Sequence, residues 1–127
     1  PVIKLTENPD ILRSVAMLPN APFCVGFAAE SENVLANART KRQKKHVPLM
    51  VANDVAVAMG QSSNQIILLD DEQERALPQM SKEQAAKYIV VRMITLMRAR
   101  AAKAAAAAAA KPKAPNETGK PIEKKQP

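Results

Sequence analysis

The spacing of apolar residues changes repeatedly along the chain, and each change marks an element. Val2 to Leu5 reads as the end of a strand. Asn8-Pro9-Asp10 then reads as a helix start, with Asn8 at the N-cap, Pro9 at the first helical position and Asp10 as an acid in the first turn. Ile11, Leu12, Val15 and Leu18 give that helix one apolar face. Prolines at 19 and 22 end it, and Phe23 to Ala29 is a near-continuous apolar run, the pattern of a strand covered on both faces. Ser31 is the expected N-cap of a second helix reaching about Lys45, with Val34, Leu35 and Ala38 inward and a basic last turn. Leu49 to Ala52 is a further buried strand ending at Asn53-Asp54.

Beyond a loop around Gly60 to Ser63, Ile66 to Leu69 reads as a strand, Asp70 to Glu74 as a polar turn, and Ala76-Leu77 as a short return. That is a hairpin at one edge of a sheet. Ser81 and Gln84 stand at capping-box spacing. After them Ala85, Ala86, Ile89, Val90, Met93, Ile94 and Met97 form a stripe at helical spacing. From Ala101 the chain becomes an alanine run and then a Lys/Pro-rich tail, in which Pro112 should stop the helix. Alternating strands and helices predict an α/β fold with a mostly parallel sheet and an edge hairpin. The expected division is 1–100 for the folded part and 101–127 for the tail.

Composition narrows the chemistry. With 127 residues there is room for one small domain. Aromatic residues are 2%, which argues against a base-stacking platform for nucleic acid. Of the formal charge of +7, residues 101–127 carry +4, so the tail is where a polyanion would be attracted. Cys24, the single cysteine, lies in an apolar run and reads as a buried, inert thiol, in keeping with a reducing, cytoplasmic setting. No apolar run approaches the roughly 20 residues of a membrane span. His46 has no His or Cys partner at zinc spacing, and three glycines make neither a dinucleotide fingerprint nor a phosphate loop.

Three polar junctions follow the carboxyl ends of the expected strands: Thr6 to Asp10, Glu30 to Asn33, and Asn53-Asp54. Open α/β sheets bind ligands along that edge. The helix start at Asn8 and Asp10 suits a phosphate, with Asp10 alternatively holding a ribose hydroxyl, a metal or simply the cap. Gly26, Phe27 and Ala28 end a strand in mostly small residues that either admit a flat ring or pack under a helix. Asn53 and Asp54 either orient a substrate or cap a turn. The run Lys41 to Lys45 reads as a solvated helix end or, less commonly, a phosphate-attracting patch.

Taken in order, five blocks resemble the phosphopantothenoylcysteine synthetase domain family. They are Leu5-Thr-Glu-Asn-Pro-Asp-Ile-Leu12, Val25-Gly-Phe-Ala-Ala-Glu-Ser-Glu-Asn-Val34, Ala38-Arg-Thr-Lys41, Val51-Ala-Asn-Asp-Val55 and Asn64-Gln-Ile-Ile-Leu68. The similarity continues through Leu77-Pro78 and Ser81-Lys82 and covers about residues 3–98.

The resemblance implies part of a Rossmann-like three-layer fold, the C-terminal half of the domain. It also implies a ligase that activates 4'-phosphopantothenate with CTP, or ATP, as an acyl-nucleotide that cysteine then attacks, with Mg²⁺ on the triphosphate. Asp10 and Asn8, with Gly26, Phe27 and Ala28, match nucleotide-lining positions, and Asn53-Asp54 match a signature read as substrate-binding. No catalytic residue is assigned, because the family's lid lysine and intermediate-binding residues are expected upstream. Where the family has an acid this chain has Ser62. Protein ligands alone are not expected to hold a metal. FMN is expected only in a separate decarboxylase domain, if one is fused. A homodimer through the hairpin at 65–77 is expected. The alternatives are a non-catalytic α/β remnant and a polyanion binder acting through the tail.

Overall fold

The computed structural model describes residues 2–55 and 65–110. In chain order the elements are α1 (Ile11–Ala16), β1 (Val25–Glu30), α2 (Val34–Lys45), β2 (Leu49–Asp54), β3 (Gln65–Leu69), β4 (Glu74–Ala76) and α3 (Lys82–Ala110). The strands form one sheet in the order β1-β2-β3-β4. β1 and β2 pair in parallel through the α2 crossover, while β3 joins β2, and β4 joins β3, antiparallel. The fold is α/β, and this part of its sheet is mixed: the expected parallel pair lies at one end and the expected hairpin at the other. Val2 to Leu5 is not a strand, since it is exposed and has no ladder partner among the described residues.

Strand alternation assigns the layers. Ala28, Met50, Ala52 and Leu69 share one face and are buried with Cys24, Ala38 and Val47. Leu12, Val15 and Ala16 of α1 and Val34 and Leu35 of α2 pack against this cluster, so both short helices lie on that side. The contacts of Ile11 and Leu18, also expected inward, are solvent, and both are exposed. On the opposite face Leu49, Val51, Leu68 and Leu77 are buried, as is Ala85 of α3. Arg75, on that face, stacks over Tyr88 of α3 with 5.9 Å from its guanidinium carbon to the ring centroid. The third layer is therefore the first turns of α3, whose covered side carries Ala85, Ile89, Arg92 and Met93. Val90, Ile94 and Met97 of the expected stripe are exposed: only one side of the stripe meets the sheet.

Local rules explain the helix ends. Asp10, not Asn8, is the N-cap of α1: its backbone is extended and its Oδ1 accepts the Arg13 N–H at 3.0 Å, satisfying an orphan donor of the first turn. Asn33, not Ser31, precedes α2, in the left-handed region at φ 45°, which Asn tolerates better than most residues. His46 ends α2 in the same region at φ 57°. At α3 the capping box forms as expected, with the Gln84 N–H donating to Ser81 Oγ at 3.1 Å and the Ser81 N–H to Gln84 Oε1 at 3.4 Å. The chain divides into compact units Pro1–Ile94 and Thr95–Pro127; the described part of the second, to Ala110, is helical. Pro112 lies outside the described residues.

The hairpin turn is closed by a buried carboxylate. Asp70 Oδ1 accepts the N–H groups of Glu72 and Gln73 at 2.8 and 3.1 Å. Arg92 grips both Asp70 oxygens at 2.8 and 2.9 Å and reaches Glu72 Oε2 at 3.0 Å. The Asp70 side chain is 0% exposed and that of Arg92 15%. Burial alone would push the Asp70 carboxyl up, but the Arg92 guanidinium and the two turn N–H groups hold it below the ordinary carboxylate range. The same pairing raises Arg92 further above its already high value.

Two predictions follow from this packing. Arg92→Ala leaves Asp70 buried and uncompensated, and urea denaturation should show a loss of about 3–5 kcal/mol. Because the folded Asp70 titrates lower than the unfolded one, its contribution is complete above about pH 4 and lost as pH falls further; Asp70→Asn should flatten that acid limb of the stability curve. The second concerns Gly26, where an added Cβ would sit 2.9 Å from Met50 Cε and 3.1 Å from its Sδ. Gly26→Ala should lower stability by about 1–3 kcal/mol, and Met50→Val in the same chain should recover part of the loss.

Candidate functional site

The parallel register sets Ala29 beside Asn53 and Glu30 beside Asp54, so the carboxyl ends of β1 and β2 place two carboxylates next to each other. Like charges in that position repel, and α2 answers with a cation. Lys41 Nζ lies 2.5 Å from Glu30 Oε1, an ion pair without hydrogen-bond geometry, at a glutamate that is otherwise buried. One turn further along, Lys45 Nζ donates to Asp10 Oδ2 at 2.9 Å. The Asp10 carboxyl is held below its usual range first by the Arg13 N–H and then by Lys45, so it is anionic at neutral pH. Lys41 and Lys45, at i and i+4, therefore bring Asp10 and the end of β1 to one side of α2.

Two further cations of this helix are also engaged. Arg42 pairs with Asp71 of the hairpin turn, and Arg39 grips Glu74 of β4 at 2.5 and 2.6 Å. The run Lys41 to Lys45 is thus not the freely solvated helix end expected from its composition: three of its four cations meet acids far away in sequence. The sequence pointed to the run Lys41 to Lys45 as a solvated helix end or a phosphate-attracting patch and to Glu30 as the start of a polar junction, but not to their pairing, for which the lysine spacing of four was the available signal.

The sequence-based candidates separate by sheet face. Gly26 and Ala28 point into the core under Met50 and α2, which supports the packing reading of these small residues. Phe27 points the other way and is 71% exposed. Asn53 shares the Phe27 face, and Asp54 shares the Glu30 face; both are half-buried. Asn8 is exposed and outside any element. Asp10 serves as the α1 cap and as the partner of Lys45. Cys24 is buried, with its thiol donating to Pro22 O at 3.4 Å. Among the described residues no three His, Cys, Asp or Glu side chains gather as a metal site, and no helix is long and apolar enough to cross a membrane. Ser62 lies outside the described residues.

Comparison with known proteins places this arrangement. Residues 1–97 match the family model of the DNA/pantothenate metabolism flavoprotein C-terminal domain. The chain is 44% identical over 99 residues to a coenzyme A biosynthesis bifunctional protein CoaBC from Vibrio vulnificus (strain YJ016), an alignment covering 75% of this chain and 25% of that protein. To the protein of the same name from Escherichia coli (strain K12) it is 36% identical over 97 residues, covering 73% and 24%. The chain thus spans about a quarter of the length of these relatives. Among solved structures, the crystal structure of the C-terminal domain of CoaBC superposes with a TM-score of 0.62 at 25% identity, over 75% of this chain and 45% of that one. The DNA/pantothenate metabolism flavoprotein from Streptococcus pneumoniae gives a TM-score of 0.61 at 20% identity, covering 75% and 42%, which speaks to the fold alone. The chain belongs to the DNA/pantothenate metabolism flavoprotein C-terminal domain family and is similar to part of the C-terminal domain of CoaBC.

Proposed function

We propose that this chain contributes the nucleotide-binding part of a ligase that joins 4'-phosphopantothenate to cysteine in the cytoplasm, in coenzyme A biosynthesis. The observation that carries the reading is the pair Lys41 and Lys45, one helical turn apart and tied to Glu30 and Asp10. A triphosphate is a polyanion, and two ammonium groups on one side of α2 offer it charge. Asp10 and Asn8 would meet the ribose or phosphate side, and the exposed ring of Phe27 would take a flat base. Gly26 and Ala28 would act only from beneath, by keeping β1 close to α2.

In the proposed reaction the substrate carboxylate attacks the α-phosphorus of CTP and pyrophosphate leaves; the cysteine amine then attacks the acyl carbon and CMP leaves. Mg²⁺ would travel with the triphosphate and neutralise its charge. Glu30 and Asp54 match the one or two carboxylates that Mg²⁺ usually takes from protein. Their cross-strand position supports that fit. Asn53 and Asp54 are the substrate-side candidates. The names of the relatives are those of bifunctional proteins, which supports an associated decarboxylase domain as the place of FMN.

The reading also includes a homodimer through the hairpin. β4 is one of the two outer strands of the described sheet, and all three of its residues are exposed. An outer strand with free backbone groups is a template for a partner. Ile67, by contrast, packs into the core of its own chain, so a test at the interface belongs on β4.

Two measurements test these statements. Equilibrium dialysis should show Mg-CTP binding to the chain, while CMP release with 4'-phosphopantothenate and cysteine should stay at background, in keeping with a chain that spans about a quarter of the length of its relatives. Absence of CTP binding contradicts the nucleotide site, and full turnover contradicts the partial role. Sedimentation velocity should give the mass of two chains, shifted toward one by Arg75→Asp with the circular dichroism unchanged; a monomeric parent chain contradicts the dimer.

A further inference from the structure

Asn53 is the polar side chain whose state the fold does not explain. Its Oδ1 is buried and has no hydrogen-bond partner, although the residue as a whole is only half-buried. A buried acceptor without a donor opposes folding, so an orphan of this kind in a well-packed strand calls for a reason. Glu30 Oε1 and Arg42 Nε also lack hydrogen bonds, but the residues that carry them are held in ion pairs with Lys41 and Asp71. Among the described residues no ion pair or side-chain hydrogen bond accounts for Asn53.

Its surroundings describe what would satisfy it. In the sheet Asn53 lies opposite Ala29 on one side and Ile66 on the other. Alternation puts it on the face that carries Phe27 and Ala29, both exposed. An exposed aromatic ring and a methyl group make a flat apolar platform, and the unpaired carbonyl oxygen lies buried beside it on a half-buried side chain, where a rotation of the amide would bring it to a ligand on the platform. The complementary ligand is a planar ring with an N–H donor on its edge. Of the reactants in the proposed ligase reaction, the nucleobase has that form: a cytosine ring carries an exocyclic amino group, whereas uracil carries a carbonyl oxygen at the same place.

We propose that Asn53 is a specificity-determining residue of the nucleotide site, its Oδ1 accepting a hydrogen bond from the exocyclic amino group of a base that lies against Phe27. The proposal rests on the nucleotide-binding reading above and deepens it. It separates the two halves of nucleotide recognition between the faces of the sheet edge: charge on the α2 side from Lys41 and Lys45, base identity on the Phe27 side from Asn53.

The test compares Mg-CTP and Mg-UTP binding to the whole chain by calorimetry, for the parent and for Asn53→Leu and Asn53→Asp. The parent should prefer CTP by about tenfold, the size of one net hydrogen bond. Asn53→Leu should weaken CTP by a similar factor and leave UTP unchanged, so that the preference disappears. Asn53→Asp keeps an acceptor and should retain it. A second readout needs no ligand: since the Oδ1 has no partner in the free protein, Asn53→Leu should not lower the thermal midpoint. A preference for CTP that survives Asn53→Leu overturns the proposal, as does equal loss of both nucleotides or a destabilised Asn53→Leu chain, either of which shows a structural role. Failure of the parent to bind either nucleotide overturns the nucleotide reading itself, and this inference with it.

Discussion

The seating of α2 is the constraint on which the rest of the structure depends. Its apolar side, Val34, Leu35 and the fully buried Ala38, enters the core beneath β1 and β2. Its other side sends Arg39, Lys41, Arg42 and Lys45 to Glu74, Glu30, Asp71 and Asp10, which belong to β4, β1, the hairpin turn and the α1 cap. These two sides do different work. Exposed ion pairs contribute little to stability, in general about 0–1 kcal/mol each, so the free energy comes mainly from the apolar side. What the pairs determine is rotation and register: one helix reaches four other segments, and a turn of the helix about its axis would break all four contacts together.

Arg92 and Asp70 perform the corresponding task on the other face of the sheet, but with burial. A carboxylate with no exposed side-chain surface, gripped through both oxygens and by two turn N–H groups, ties the first part of α3 to the end of β3. The sheet is held between a helix fastened by many weak exposed pairs and a helix fastened by one strong buried pair. This leaves the end of β1 comparatively open. Phe27 points to solvent from β1, the outer strand at the other end of the described sheet from β4, and the chain spans 45% of the CoaBC C-terminal domain chain that it superposes on.

Much of this was legible in the sequence because it depends on neighbours. The Ser81–Gln84 capping box, the end of β2 at Asn53-Asp54, the hairpin around Asp70 and the basic last turn of α2 all follow from residues within one turn of one another. The helix starts were misplaced by two residues at α1 and at α2. Asn8 and Ser31 are good caps in isolation, but the backbone chose Asp10, which also meets Lys45, and Asn33, which takes a left-handed turn. The candidate site was legible as a set of positions and not as a geometry. Gly26, Phe27 and Ala28 are adjacent in sequence, yet strand alternation sends the first and third into the core and the second to solvent. The pairing of the lysines was hidden for a different reason: Lys45 and Asp10 are 35 residues apart, a contact that no local pattern encodes.

The central claim of this account is that Lys41 and Lys45 form the anion-binding side of a nucleotide site and are not merely partners for Glu30 and Asp10. The most direct measurement is calorimetric titration of Mg-CTP into the chain and into the Lys41→Gln/Lys45→Gln variant, at low and at moderate salt, with circular dichroism to confirm the fold. The account expects the variant to bind at least about tenfold more weakly and with a shallower salt dependence, as loss of two charges from an anion site requires. An unchanged affinity and salt dependence in a folded variant would contradict it.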